Sequence, residues 1–160
     1  MNPCASAVMQ FLFLLLAAAP LYRSPDRALK VVIAGARTEF QTSSGRILLT
    51  RDDPSHVILH AAWTSDSQFF VASTESSEGH QPWARPIWIY SRAKNQILEL
   101  APLGATAVAG FTLESPDVLQ TKVLDCQHGK PGDLTSRTLR ISLHRLLAEG
   151  RLPDAPCPAQ

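Results

Sequence analysis

The chain has 160 residues, enough for one ordinary domain rather than two. Charged residues are 18% of it, below the roughly 25% of an average soluble domain, which disfavours long solvated helices and disordered tails. Fifteen Lys and Arg against 14 Asp and Glu leave a formal charge of +1, which gives no electrostatic footprint for nucleic acid or an anionic lipid surface.

The first feature along the chain is an unbroken apolar run from Phe11 to Ala19, extended toward the N-terminus by Ala7, Val8 and Met9. Its length fits the apolar region of a secretory signal, and it ends in small residues as a cleavage site requires. A spanning helix needs about 20 apolar residues, and Gln10 on one side and Pro20 to Arg23 on the other close the window too early. Residues 1–19 are therefore expected to be a signal peptide, and the protein to be exported, periplasmic or secreted, with no stable membrane span once the signal is removed. The cleavage point is open, because Pro20 suits a cut after Ala19 poorly and no Lys or Arg precedes the run. An uncleaved anchor and a different start of translation are the alternatives.

Cys4 lies within that segment, which leaves Cys126 and Cys157 as an even pair. In an exported domain two such cysteines most simply form one disulfide, closing a loop of about 30 residues and contributing about 3–4 kcal/mol. Two free thiols are the other reading. The bridge would fasten the Pro-rich tail, residues 151–160, to the body.

Between them lies a single β-rich domain, residues 28–150, preceded by a short polar linker at 20–27. Ala28 to Ala34 is β-branched and bounded by Gly35, and so reads as a strand. Arg46 to Thr50 follows the turn Thr42-Ser43-Ser44-Gly45. Val57 to Thr64 and Gln68 to Thr74 form a pair joined by Ser65-Asp66-Ser67. Ile87 to Ser91 and Gln96 to Leu100 form another, joined by Ala93-Lys94-Asn95. Val118 to Leu124 and Thr138 to Leu143 are further strands. Only Leu143 to Glu149 reads as helix, with Ser142 as N-cap and Gly150 just past its end. The expected class is mainly β, with antiparallel meander sheets and one short C-terminal helix.

Residues Ala62 to Ser73, Ala-Trp-Thr-Ser-Asp-Ser-Gln-Phe-Phe-Val-Ala-Ser, resemble the strand–turn–strand signature Trp-Ser-Pro-Asp-Gly-Lys of TolB-like and WD-type β-propeller blades. Ile87 to Leu100 is similar to the second half of such a blade, so the resemblance covers about residues 57–100. Three positions depart from the pattern: Ser65 stands where Pro is usual, and Ser67 and Asn95 where Gly is usual. The resemblance implies a single propeller-blade-like unit, extended by flanking strands into one or two packed sheets. A blade takes about 40–45 residues and a closed propeller typically at least four blades. The roughly 140 residues after the signal hold three at most, so a closed propeller is excluded for one chain. Exposed sheet edges would then need covering by the helix or by another chain.

No Gly-x-Ser-x-Gly, phosphate-cradling glycine loop or Cys-x-x-Cys occurs, and no cofactor is expected. The histidines are His56, His60, His80, His128 and His144. His56 and His60, four apart on a strand, stand about 13 Å apart, too far for one ion, and no metal site is expected. Asp52-Asp53 before Pro54 starts a turn, and Asp66 serves its own turn backbone. The segment Ser73 to Pro86 is longer than a usual hairpin connection and carries His80, Trp83 and Arg85. Trp and Arg are the residues that anchor interfaces, and long loops on rigid sheets commonly carry binding. These three are the candidate binding residues, with Trp83 central and Arg85 peripheral. The competing reading folds Trp83 back onto the sheet beside Trp88. The expected function is an exported, non-enzymatic protein-binding or scaffold role, through this loop, an open sheet edge or self-association. The alternative is a small exported hydrolase or inhibitor-like effector using Asp66, Glu75, Glu78 and His80.

Overall fold

A computed structural model describes residues 19–78, 84–124 and 136–152. It is mainly β, and the described residues form eleven strands in three antiparallel sheets rather than one or two. The first sheet contains β1 (Leu21–Arg23), β2 (Leu29–Ala34), β3 (Arg37–Thr42) and β4 (Ile47–Asp52). The second contains β5 (His56–Trp63), β6 (Phe69–Ser76), β7 (Ile87–Ser91) and β8 (Gln96–Glu99). The third contains β9 (Ala107–Glu114), β10 (Val118–Leu124) and β11 (Ser136–Ser142). Every hydrogen-bonded neighbour is also a neighbour in sequence, so each sheet is a meander. The described residues form neither a closed barrel nor a closed propeller.

Residues 20–27 are not a linker. Tyr22 pairs with Val31, and the segment continues into a turn closed by Ser24, so it opens the first sheet. β6 also extends past the expected Thr74 to Ser76, which places Glu75 in a strand and not in the loop.

The second sheet is the middle layer. Successive side chains of a strand point to opposite faces. On β6, Phe69 and Val71 enter a core shared with the third sheet, while Phe70 and Ala72 enter one shared with the first. On β7, Ile87 and Ile89 take the first of these sides and Tyr90 the second. A strand covered on both faces needs a continuous apolar run, which is why β7 reads Ile-Trp-Ile-Tyr. Phe40 of β3 stacks on Tyr90 with ring centroids 4.0 Å apart and meets Phe70 edge-on at 5.8 Å. The outer layers are covered on one face only, so β10 alternates buried Leu119, Thr121 and Val123 with less buried Gln120 and Lys122.

One turn occurs twice. Ser24 Oγ donates to Asp26 Oδ1 at 2.6 Å and accepts from Leu29 N at 3.0 Å, and Asp26 Oδ1 also accepts from Ala28 N. Forty positions later Thr64, Asp66, Phe69 and Gln68 repeat all three bonds. Arg27 and Ser67 hold the same left-handed position, at φ 59° and 61°. In the third sheet Asp117 serves the helix instead. Its carboxylate accepts from Ser142 Oγ at 2.6 Å and His144 N at 2.9 Å, at the start of α1 (Leu143–Glu149). Leu143 and Leu146 of α1 are buried against the second and third sheets, and Gly150 ends the helix at φ 66°.

Candidate interaction site

The connections β4–β5, β6–β7 and β8–β9 emerge at one end of the second sheet. The short β4–β5 link is Asp53-Pro54-Ser55. Asp53 accepts from Ser55 Oγ at 2.6 Å and from Arg51 Nη2 at 3.0 Å, and His56 Nδ1 lies 3.1 Å from it. Burial would raise the Asp53 carboxyl, but the hydrogen bonds from Ser55, His56 and Arg51 outweigh it and hold the group well below the usual carboxylate range. Arg51 reaches across from the first sheet to Glu99 Oε1 at 2.7 Å, with its guanidinium 3.9 Å above the Trp88 ring. This cation–π contact and ion pair lock the first two sheets together at this end. Arg51 Nε is buried with no hydrogen-bond partner among the described residues.

Both roots of the β6–β7 loop are described at this end. Ser77 N donates to Ser55 O at 2.9 Å and Ser77 Oγ to Pro54 O at 3.0 Å, fixing its first root. At the second root Thr74 N donates to Pro86 O, and Arg85 N donates to Ala107 O at 2.7 Å in the third sheet. Arg85 is half-buried, with Nε buried and unpartnered among the described residues. His80 and Trp83 lie outside the described residues, as do Cys126 and Cys157 and the apolar run at 11–18.

Beside the first root, β5 is the edge strand of its sheet. Val57 is 54% exposed and Leu59 46% exposed, two of the few large apolar side chains left in solvent. An extra residue between Ile58 and His60 breaks the pairing with β6, and such bulges blunt an edge against indiscriminate pairing. His60 lies over Phe111 with ring centroids 4.8 Å apart. Together they wall a cavity of about 360 Å³, which Gly110 leaves open for want of a side chain.

Asp66 does not meet Glu75 or Glu78, the other carboxylates offered for hydrolysis, since Glu78 lies just past the far end of β6. Asp66 lies in the turn before β6 and Glu75 near its far end, more than about 20 Å away at strand rise. Asp66 keeps its turn role, with burial again outweighed by hydrogen bonds from Thr64, Gln68 and His144 so that its carboxyl is lowered. His144 Nε2 lies 2.8 Å from Asp66 Oδ2, a pairing across 78 positions that no local pattern announces. Among the described residues no three His, Cys, Asp or Glu side chains gather as a metal site, and no helix is long and apolar enough to cross a membrane. Compared with known protein families and with curated proteins, the chain matches no family model and no curated relative.

Proposed function

We propose that the protein is an exported, non-enzymatic binding or scaffold module with a single blade-like unit, about residues 57–100, similar to a blade of TolB-like and WD-type propellers. It holds a protein partner at the loop end of its middle sheet. The observation that carries this reading is the double anchoring of the β6–β7 loop, by Ser77 to Ser55 and by Arg85 to Ala107. Side chains offered from a fixed base lose less entropy on binding, and the uncovered Val57 and Leu59 extend the same surface along β5. Trp83, flanked by Pro82, is the central anchor, and His80 and Arg85 supply polar contacts.

The test compares partner recovery from an extracytoplasmic extract by the wild-type chain and by Trp83→Ala. Recovery is expected to be lost while stability changes by less than about 1 kcal/mol, the regime of surface substitutions. If Trp83→Ala unfolds the chain, Trp83 packs beside Trp88 and the reading fails; undiminished recovery also overturns it. Turnover of ester, glycoside or peptide substrates by the wild-type protein would favour the hydrolase instead. Export is tested by N-terminal sequencing, with a mature chain beginning between residues 18 and 26 expected.

A further inference from the structure

At the end opposite the loop, the first two sheets part around a cleft of about 500 Å³. That is within the roughly 300–1,000 Å³ of small-ligand sites. Its floor is apolar, made by Leu29 and Leu48 from the first sheet and Tyr90 from the second. The polar groups at the floor satisfy one another. Tyr90 hydroxyl donates to Asn95 Oδ1 at 3.0 Å, and Asn95 Nδ2 donates to Leu48 O at 3.0 Å. What the cleft presents outward is charge. Arg46, exposed beside β4, has no side-chain partner among the described residues. Arg92 commits one guanidinium nitrogen, Nη1, to Asp26 and keeps the rest of its fork.

The charged residues of the lining are Arg46 and Arg92, and Asp26 already pairs with Arg92, so these three groups together carry one positive charge, which suits a monoanion better than a doubly charged phosphate. Guanidinium forks match the two oxygens of a carboxylate. We propose that this cleft binds a carboxylate on a short apolar body, the carboxylate held by Arg46 and Arg92 and the body laid against Leu29, Leu48 and Tyr90. A free short-chain carboxylic acid and the C-terminal residue of a peptide ending in an apolar side chain share this chemistry. The site is separate from the loop end and stands whether or not a partner docks there.

The experiment is calorimetric titration of the full chain with hexanoate, with inorganic phosphate, and with an acetylated tripeptide ending in Leu, as free acid and as amide. Saturable binding of hexanoate or of the peptide acid is expected, with phosphate weaker and the amide silent. The tighter of the two carboxylates identifies the source. Arg46→Gln, which removes no side-chain hydrogen bond or ion pair within the described residues, should weaken binding at least about tenfold, the loss of one charge-assisted hydrogen bond. Ala28→Phe, which fills the cleft from its wall, should abolish binding. Circular-dichroism melts confirm that both variants fold. Absence of saturable carboxylate binding, equal binding of phosphate, or carboxylate binding indifferent to Arg46→Gln in the folded protein overturns the proposal.

Discussion

The backbone N–H of Asp26 donates to the hydroxyl of Ser67 at 3.0 Å, joining the repeated turns of the first and second sheets. Ser67 holds φ 61°, where glycine would be the relaxed choice. The strain of a left-handed serine is thus retained together with a bond that glycine could not make. Ser67→Ala keeps the strain and removes the bond, and should destabilise by about 0.5–1.5 kcal/mol. Because the two turns touch, a double-mutant cycle with Ser24→Ala should show coupling above about 0.5 kcal/mol, measured by urea unfolding. Strict additivity would contradict the contact.

Asn95 makes the same exchange between the same two sheets. Its φ is 47°, yet its side chain accepts from the buried Tyr90 hydroxyl and donates to Leu48 O. Asn95→Gly relaxes the backbone but strands the Tyr90 hydroxyl, so the net change should be a loss of about 1–2 kcal/mol. Introducing Tyr90→Phe first should shrink that loss, since no donor is then orphaned. A stabilising Asn95→Gly in thermal unfolding would refute the account.

Acid unfolding should report Asp26. Hydrogen bonds from Ser24 and Arg92 lower its carboxyl to about 2 in the folded protein, against an ordinary 3.8. A lowered folded value means the stabilisation is fully present above about pH 4 and is lost as pH falls from there toward 2. The lowered Asp66 carboxyl adds a loss of the same sign. Asp26→Asn should therefore flatten the fall in urea midpoint between pH 4 and 2. The Arg92 share of the effect should weaken in high salt, because the pair is partly exposed.

Cys126 and Cys157 carry a prediction from the sequence alone. If they are bridged, Cys126→Ser should destabilise by about 2–4 kcal/mol and leave one thiol titratable in the denatured, unreduced protein. Equal thiol counts before and after reduction of the wild type would rule the bridge out.

The elements legible in the sequence were those with dense apolar signals. Ile87–Ser91, Val118–Leu124 and Leu143–Glu149 fall at their expected limits. β1, β3 and β9 escaped because each gives little to read. β1 turns only Tyr22 inward; β3 buries Thr38 and Phe40 between charged and amide neighbours; β9 is rich in small residues around Gly110. The twofold turn was hidden for another reason, since Ser24 and Thr64 differ in type and neither turn holds the usual glycine. A Ser/Thr-x-Asp followed by an apolar run, sought at a fixed interval, would have found it. Ser65, Ser67 and Asn95 look like departures from a blade pattern in one dimension. In three, Ser65 Oγ lies 3.0 Å from Ser115 Oγ of the third sheet, and all three side chains bridge sheets. Such roles depend on neighbours 40 or more positions away and leave no local trace, as with His144 and Asp66.

Because every described strand pairs only with its sequence neighbours, none of these sheets waits for a distant strand before it can form. Loop-closure entropy is then small for each, and the meanders can assemble early and dock afterwards. The order of opening follows from layering. The outer sheets each have one wet face, so their amides should exchange with deuterium through local openings that spare the middle layer. β6 and β7, buried from both sides, should exchange last, at the rate of global unfolding.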